Sequence, residues 1–301
     1  MMTPLRIQGL AFSIVALAST AFLALWGGML SEESGLIVLA TLILLLGVPH
    51  GALDTIFAHR LYNLQTPPQW IAFILMYLLL AGAVVSLWVW APTLFLIGFL
   101  LISAAHFSGD PEQGTPLPMR ILYGGSILVL PALLHAGEMG RLFALLVGSG
   151  PADSVMPWIT LLSWIWLPSV VLGVIWRARA DWLGSMEIGS VVLLSVVAPP
   201  LIAFTLFFCG MHSARHILRT INYSGSSSKR LLALSALLPM IGVVAVSVVA
   251  WEFLKGKSLD QRLIQIVFVG LAALTVPHMM LVERVRLSGW IKGAEDSRPQ
   301  S

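Results

Sequence analysis

Histidine is the residue type that could carry chemistry in this 301-residue chain, because five of its seven histidines lie inside or at the ends of long apolar segments. A polar ring inside such a segment is unfavourable and needs a partner or a function. His212 and His216 are four residues apart, so on a helix both side chains leave the same face, one turn apart. Two imidazoles at this spacing can ligate one metal ion. The other ligands must then come from other helices, and His50 and His106 are the deepest single candidates.

The three remaining histidines are interpreted differently. His59 lies beside Arg60 and is interpreted as an interfacial residue, whereas His135, at the end of its apolar segment, is interpreted as structural. His278 follows Pro277 in the last apolar segment. Its role stays open between a fifth ligand, a group in the outer shell of the metal or beside the substrate, and a packing residue.

Two aspartates follow the single histidines at helical spacing. Asp54 comes four residues after His50, and Asp110 comes four residues after His106. On a helix each acid would share a face with its histidine. A carboxylate there can accept the second imidazole N–H, which fixes the tautomer and raises the basicity of the ring. The sequence therefore predicts that Asp54 and Asp110 orient His50 and His106, although either acid could instead ligate the metal or cap a helix.

The donor set limits the metal and the reaction. All-imidazole coordination fits iron, copper or zinc better than calcium or magnesium. Four histidines around Fe(II) would leave positions open for dioxygen. Apolar surroundings disfavour hydrolysis, which needs water, and suit a hydrophobic substrate and dioxygen, which both partition into lipid. This pattern favours lipid oxidation without being unique to it. Cys209 is the only cysteine, so the chain has neither an internal disulfide nor a thiolate cluster for zinc.

The composition indicates the elements that must position these residues. Hydrophobic residues make up 58% of the chain and charged residues only 10%, and the mean hydropathy is +0.91. An ordinary soluble domain has about 25% charged residues. This difference excludes a soluble globular protein, a disordered chain and a nucleic-acid binder. The small basic excess, 17 Lys and Arg against 14 Asp and Glu, is typical of basic loops on the cytoplasmic face of a membrane.

Long segments without charge predict the membrane helices. Eight segments contain no Asp, Glu, Lys or Arg, namely 7–31, 34–53, 61–109, 121–137, 154–176, 188–214, 231–251 and 263–282. A helix needs about 20 apolar residues to cross the hydrocarbon core. The segment 61–109 is long enough for two spans, with Ala91 and Pro92 at the turn. The sequence thus predicts an all-α integral membrane protein, a polytopic bundle of about eight or nine transmembrane helices.

The chain is predicted to be a single transmembrane domain over 1–301, with a helical bundle at about 7–285 and a polar C-terminal tail at 286–301. Residues 138–147 are amphipathic and are expected to lie in the membrane interface. The Lys and Arg positions predict a multi-pass protein of the cell (inner) membrane, with the N-terminus and the metal site toward the cytoplasm. The topology of 188–220 stays open, because Pro199-Pro200 divides this segment.

The histidine motifs resemble those of a known family. Four of them occur in the same order in the Brp/Blh family of membrane β-carotene 15,15′-dioxygenases: Pro49-His50-Gly51-Ala52-Leu53-Asp54, His106-Phe107-Ser108-Gly109-Asp110, the His212/His216 pair and Pro277-His278-Met279. The resemblance covers about residues 35–285. Each motif alone is weak, but their combination is specific.

The resemblance implies an enzyme with a histidine-held iron centre, Fe(II). The family's ligand histidines fall on His50, His106, His212 and His216, and no catalytic residue beyond these ligands is implied. The implied reaction is cleavage of the central double bond of β-carotene by O2 to give two retinal molecules, which members of the family commonly supply to microbial rhodopsins. Six aromatic residues could line a tunnel for the polyene between the helices, and each could equally face the lipid or pack in the core: Phe107, Phe204, Phe207, Phe208, Trp164 and Trp166.

Other functions predict different sequences. Membrane di-iron hydroxylases need roughly eight histidines in HxxxH and HxxHH clusters, whereas this chain has seven histidines, one HxxxH and no HxxHH. A metal transporter that uses intramembrane histidines as a transit site and a carotenoid- or retinal-binding accessory protein both stay open. A rhodopsin is disfavoured, because no lysine lies inside a charge-free segment to form a Schiff base.

Overall fold

Helices make up nearly all of the part of the chain that the structure describes, and no strand occurs there. The structure is a computed structural model, and it describes residues 2–26, 32–224 and 229–285. The helices of the first half are α1 (Pro4–Trp26), α2 (Glu32–Leu42), α3 (Pro49–Ala52), α4 (Asp54–Tyr62), α5 (Pro67–Trp90), α6 (Pro92–Phe107), α7 (Leu117–Val129) and α8 (Ala136–Val147). Those of the second half are α9 (Ser149–Ala178), α10 (Trp182–Val197), α11 (Pro200–Leu206), α12 (Ala214–Ser224), α13 (Lys229–Phe253) and α14 (Leu259–Val285).

The predicted all-α polytopic fold is confirmed, with fewer full-length spans than the expected eight or nine. Seven helical segments within the described residues, some of them interrupted by single turn residues or a π turn, are long and apolar enough to cross a membrane: Pro4–Leu25, Gly35–Tyr62, Pro67–Trp90, Ser149–Ala178, Pro200–Ser224, Leu234–Phe253 and Leu259–Arg284. An eighth results if the pair Leu117–Leu133 and Ala136–Val147, bent by 109°, is one span. The count is lower because α6 and α10 each have only 16 residues.

Prolines divide the apolar segments at the predicted places. Ala91 leaves the helical conformation (φ −142°, ψ 65°) between α5 and α6, and Pro92 then starts α6. Pro199 separates α10 from α11 in the same way, and Pro200 starts α11. Proline is tolerated in the first turn of a helix because its missing N–H has no intrahelical partner there. The segment 188–220 therefore contains the end of a short helix followed by a longer one. The tail 286–301 lies outside the described residues.

Two π-helical turns contact each other. Ile43–Gly47 leads from α2 toward α3, and Phe207–Ser213 joins α11 to α12. The Ser213 hydroxyl lies 2.7 Å from the carbonyl oxygen of Leu46 and 3.0 Å from that of Gly47. Wider turns of this kind release backbone carbonyls and occur often at functional sites. The first turn precedes His50 by three residues, and the second turn contains His212.

The outer helices present apolar side chains to their surroundings. None of the residues of α5 is buried. Trp90 at its end is 86% exposed, and Leu238 on α13 is 74% exposed. Water would strongly disfavour so many exposed apolar side chains, whereas lipid tails accommodate them. Several polar side chains are instead buried inside the bundle, among them His50, His212, His216 and His278.

Candidate metal centre

Five histidine rings from four parts of the chain meet in the bundle interior. His50 comes from α3, His106 from the last turn of α6, His212 and His216 from the π turn and α12, and His278 from α14. The ring centroids are 4.5 Å apart for His106 and His212, 4.9 Å for His50 and His212, and 4.9 Å for His216 and His278. The rings of the four predicted ligands and of His278 are therefore neighbours, but the group of donor nitrogens that lie within 4.8 Å of one another contains His50, His106 and His278 and neither His212 nor His216.

The donor atoms of three of these histidines are close enough to share one ion. One ring nitrogen each of His50, His106 and His278 lies within 4.8 Å of the other two. His50 and His278 are buried, with 6% and 2% exposure, and His106 is partly buried. A borderline metal ion such as Fe(II) or Zn(II) accepts neutral imidazole nitrogens in this arrangement. The sequence left the role of His278 open, and the geometry puts it beside the predicted ligands.

Two buried aspartates fix the orientation of two rings. The Nδ1 of His278 donates to Asp54 Oδ1 at 2.7 Å. The Nδ1 of His212 lies 3.0 Å from both carboxylate oxygens of Asp110. A carboxylate can only accept here, so Nδ1 carries the proton and Nε2 keeps its lone pair in the neutral ring. This pattern of carboxylate, histidine and metal is the usual outer shell of histidine-held ions.

The same rings have nitrogens that fit a metal. The Nε2 atoms of His212 and His278 are buried and have no hydrogen-bond partner within the described residues. The Nδ1 of His50 lies 2.5 Å from the carbonyl oxygen of Gly47, which again leaves Nε2 as the lone-pair atom. A buried polar atom without a partner is unfavourable, and native structures rarely keep one without a reason. A metal ion bound by these nitrogens would supply that reason, so the residues fit the implied metal.

The predicted pairing of Asp54 with His50 is wrong. The i, i+4 argument requires one continuous helix from residue 50 to residue 54. Instead α3 ends at Ala52, Leu53 (φ −78°, ψ 0°) is a turn residue and Asp54 starts α4. The break rotates the carboxylate away from His50 and toward α14, where it meets His278.

The predicted pairing of Asp110 with His106 is wrong for a similar reason. Helix α6 ends at Phe107, so Asp110 lies in the following loop and does not share a helical face with His106. The loop carries the carboxylate across to the π-helical turn Phe207–Ser213, where it meets His212. Each acid thus orients a histidine, as predicted. The histidine is in both cases one that is distant in sequence and not the one that was predicted.

Tyr77 is a site residue that the sequence reasoning missed. Its hydroxyl donates to Asp54 Oδ2 at 3.1 Å, so Asp54 holds both His278 and Tyr77. The sequence feature that could have indicated this role is the single tyrosine of the largely apolar α5. A phenol in such a helix needs a polar partner when it points into the protein.

Two arginines hold the loop that carries Asp110. The Nε of Arg120 donates to the Ser108 carbonyl at 2.9 Å. Arg219 donates to the Gly109 carbonyl at 2.9 Å and to the Asp110 carbonyl at 2.6 Å. Charged donors satisfy backbone carbonyls that the end of α6 leaves without helical partners. The loop is thereby fixed against α7 and α12.

A third arginine is completely buried and belongs to an ion pair. Arg215 donates to both carboxylate oxygens of Glu187 on α10, each at 2.7 Å. It also donates to the Asp110 carbonyl at 3.1 Å, and its Nε bonds to Gln8 of α1 at 2.9 Å. Its side chain is 1% exposed. This pairing explains how a charged side chain can be buried in the bundle, and it links α1, α10 and α12 beside the candidate metal centre.

Aromatic rings cover the histidine cluster on one side. Phe208 stacks on His212, with centroids 5.6 Å apart and an angle of 17°, and its edge meets His50 at 5.5 Å. Phe107 lies 4.9 Å from His212 and 5.1 Å from Phe207. All three phenylalanines are buried. They form an apolar wall next to the histidines.

The two tryptophans among the six aromatic candidates take the other positions that the sequence left open, toward the lipid and against the core. Trp164 is 66% exposed on the outer face of α9, so it belongs to the surface toward the lipid. Trp166 is partly buried, and its Nε1 donates to the Leu122 carbonyl at 2.9 Å. Residues that are two positions apart in a helix point to different sides of it. The sequence alone did not show which side of α9 faces the protein interior.

His59 and His135 have local partners. The Nδ1 of His59 lies 2.9 Å from the Leu64 carbonyl, and the ring stacks on Trp70. The Nε2 of His135 lies 3.0 Å from the Val197 carbonyl and joins the bend before α8 to the end of α10. These contacts agree with the structural role expected for His135.

The chain is similar to known proteins over most of its length. A family model described as beta-carotene 15,15′-dioxygenase matches residues 41–285. The chain is 31% identical over 252 residues to the "Beta-carotene 15,15′-dioxygenase" of uncultured marine bacterium 66A03, a match that covers 80% of this chain and 90% of that protein. It is 26% identical over 312 residues to the "Probable beta-carotene 15,15′-dioxygenase Blh" of Halobacterium salinarum, with 91% and 90% coverage. No solved structure matches the chain.

Proposed function

The chain belongs to the β-carotene 15,15′-dioxygenase family, and we propose on this basis that it cleaves the central double bond of β-carotene with dioxygen. The 15,15′ double bond breaks, and each of its two carbons takes one oxygen atom of O2. One β-carotene and one O2 therefore give two all-trans-retinal molecules. The observation that carries the proposal is the buried cluster of histidine rings, whose lone-pair nitrogens gather inside an apolar bundle.

The proposed cofactor is Fe(II), held by His50, His106, His212 and His216. His278 is proposed as an additional donor, since its nitrogen lies within 4.8 Å of those of His50 and His106. Imidazole donors suit Fe(II), and the metal supplies the binding and activation of dioxygen. No further acid or base is required from the chain. The fixed tautomers of His212 and His278 support this assignment.

The side chains around the histidines are proposed to orient the substrate and exclude water. Asp54 and Asp110 hold the imidazoles at Nδ1, so the rings keep one orientation before the substrate arrives. The aromatic side chains Phe107 and Phe208 offer flat apolar surfaces to a conjugated chain. A polyene fixed against these surfaces would present one of its many double bonds to the metal, and such positioning is a large part of the catalytic effect.

The substrates are proposed to reach the site from the membrane. β-Carotene and O2 both partition into hydrocarbon, and the outer helices are apolar. Retinal is also apolar and would leave into lipid, where a membrane retinal-binding protein such as a rhodopsin could take it up.

The metal centre is proposed to lie toward the cytoplasmic side of the cell membrane. The N-terminal end of α1 lies beside the loop of Asp110, because Arg6 pairs with Glu112 at 3.0 Å. Arg6 and Arg177 line one pocket at this end of the bundle, and Arg120 and Arg219 hold the neighbouring loop. Arginine gathers on the cytoplasmic side of membrane proteins, which supports this orientation.

Expression in a bacterial host that accumulates β-carotene tests the function. Chromatography of the pigments should find β-carotene replaced by retinal, and the His212→Ala variant should leave the β-carotene intact at an equal amount of membrane protein. Unchanged β-carotene with the wild-type chain, iron supplied, would contradict the proposal and favour a metal transporter or a carotenoid-binding accessory protein.

A further inference from the structure

The backbone carbonyl of Gly47 accepts hydrogen bonds from two side chains at the candidate metal centre. The Nδ1 of His50 lies 2.5 Å from it, and the Ser213 hydroxyl lies 3.0 Å from it. A carbonyl oxygen has two lone pairs and can accept both bonds. In a continuous α-helix it would accept the N–H of Gly51, but that N–H donates to the Val48 carbonyl at 3.1 Å. The end of the first π turn at Gly47 therefore leaves this carbonyl available to side chains.

The Ser213 hydroxyl donates to a distant part of the chain, unlike the hydroxyls of buried serines such as Ser126 and Ser195. Those two donate to the carbonyl four residues earlier in their own helices, at 2.7 Å and 2.6 Å, as serines in helices commonly do. The Ser213 hydroxyl has one proton, which is shared between the carbonyls of Leu46 at 2.7 Å and Gly47 at 3.0 Å. Ser213 is fully buried. Its hydroxyl thus joins the two π turns, which are about 166 residues apart in sequence.

The contact between the π turns affects two histidines of the candidate metal centre. His212 directly precedes Ser213 in the second turn, and its ring centroid lies 4.9 Å from that of His50. The Nδ1 of His212 is held by the Asp110 carboxylate, and the Nδ1 of His50 is held by a backbone carbonyl. Both kinds of acceptor are usual partners of histidines that ligate metals. A carbonyl can fix a ring only if the carbonyl itself is fixed, and the Ser213 hydroxyl provides this restraint.

The absence of a side chain at Gly47 allows the two turns to approach each other. A Cβ atom at this position would overlap the ring of Phe208, with the Cδ1 atom only 2.7 Å away. Phe208 is buried and is itself in contact with two rings, since it stacks on His212 and meets His50 edge-on. Gly47 does not have a positive φ, so its backbone conformation does not require glycine. The close approach of Phe208 does require it.

We infer that Ser213 is a positioning residue for His50, because its hydroxyl holds the Gly47 carbonyl and this carbonyl holds the His50 ring with Nε2 toward the metal. The inference rests on the proposed metal centre and assigns Ser213 no contact with the metal or the substrate. Contact between the π turns sets His50 and His212 relative to each other before a metal ion binds. Loss of the hydroxyl then lowers the affinity for the metal by loosening the His50 ring.

Binding of Co(II) in place of Fe(II) tests the inference, because the visible absorption of Co(II) depends on the number and arrangement of its ligands. In the purified full-length protein, stripped of metal, we expect Ser213→Ala to raise the Kd for Co(II) about tenfold, the lower end of the range for a group that orients a histidine ligand. The absorption spectrum of the bound ion should also change. A purely structural role would lower the Tm and leave the Kd and the spectrum unchanged, so the Tm is measured in parallel.

The matched control is Ser195→Ala on α10. It removes an equally buried hydroxyl whose hydrogen bond stays within its own helix. The Kd for Co(II) and the spectrum of this variant should equal those of the wild type.

Gly47→Ala tests the same contact without removing the hydroxyl. The added methyl group displaces Phe208 or the first π turn, so we expect the Kd for Co(II) to rise about tenfold. In a Phe208→Ala background the methyl group has room, and Gly47→Ala should then raise the Kd by no more than about twofold. This comparison decides the question if Ser213→Ala fails to fold.

Three results would overturn the inference in a wild-type chain that binds Co(II). They are a rise of less than about threefold in the Kd of folded Ser213→Ala, an equal rise in Ser195→Ala, and an equal effect of Gly47→Ala with and without the Phe208 ring. A wild-type chain that binds no Co(II) would overturn the proposed metal centre and the inference with it. A wild-type chain that binds the metal but leaves β-carotene intact with Fe(II) would contradict the proposed reaction and not the role of Ser213.

Discussion

Asp54 and His278 are 224 residues apart in the chain, yet the His278 Nδ1 donates a hydrogen bond of 2.7 Å to the Asp54 carboxylate. Both side chains are buried, at 3% and 2% exposure. The bond joins α4 to α14 and turns the other nitrogen of His278 toward His50 and His106. The remaining carboxylate oxygen accepts from Tyr77. Asp54 therefore orients a donor of the candidate metal centre and is itself held in place.

Removal of the Asp54 carboxylate should lower the affinity for the metal ion more than it lowers the stability of the fold. We expect Asp54→Ala to raise the dissociation constant for Fe(II) about 10- to 100-fold, the usual effect of losing a carboxylate that orients a histidine ligand. Titration of the metal-stripped protein with Fe(II) measures this change. Asp153→Ala removes an exposed carboxylate of α9 and serves as the control. An unchanged affinity in Asp54→Ala would contradict the orienting role.

The loop that carries Asp110 should depend on Arg219. Arg219→Gln removes charged donors from the Gly109 and Asp110 carbonyls, so the Asp110 carboxylate loses its fixed position against His212. We expect about tenfold weaker Fe(II) binding and a matching loss of retinal formation. Arg219→Lys keeps the charge with one donor group and should recover part of both. Equal defects in the Lys and Gln variants would argue that only the fold depends on this residue.

The buried ion pair between Glu187 and Arg215 should be essential for stability. Glu187→Leu leaves the Arg215 guanidinium buried without its carboxylate, which typically destabilises a protein by about 3–5 kcal/mol. Thermal unfolding of the detergent-solubilised protein measures the effect as a lower Tm. Glu252→Leu breaks the exposed pair with Lys255 and should change the Tm little, because exposed pairs contribute at most about 1 kcal/mol. Similar Tm values for the two variants would contradict the prediction.

The histidines should differ in three ways in their importance for Fe(II) binding and activity. Alanine at each of the four predicted ligands, His50, His106, His212 and His216, should abolish Fe(II) binding and retinal formation, since each removes a donor. His278→Ala should weaken Fe(II) binding strongly. His135→Ala should keep most of the activity, because its ring bonds to the Val197 carbonyl away from the cluster. Retained activity in His216→Ala would break the four-ligand proposal.

Composition and charge predict the fold because the surrounding lipid restricts which side chains and which backbone structure a membrane segment can have. Segments without charge must be helical in lipid, where every backbone group needs an internal partner. Pro92 and Pro200 mark helix starts for a local steric reason. The bend of 109° before α8 has no comparable local signal and depends on packing against α5 and α14.

The residue types of the site are predictable from sequence, but its pairings are not. Imidazoles and carboxylates in apolar helices indicate a shared polar site because each alone would be unfavourable there. Which acid meets which histidine depends on breaks such as that at Leu53 and on contacts between distant helices. Spacing along one helix therefore gave the wrong partners for Asp54 and Asp110. Only the folded arrangement joins His278 and Tyr77 to the site.

Metal-dependent turnover of the full-length protein tests the central claim most directly. The purified chain, stripped of metal and returned to lipid, would be given Fe(II) stepwise with β-carotene and dioxygen, and retinal would be quantified by chromatography. The account predicts that retinal formation rises with bound Fe(II) to a single equivalent per chain, with two retinal molecules per β-carotene, and that His212→Ala gives neither binding nor product. Full turnover without metal, or products of unequal length from the wild type, would contradict it.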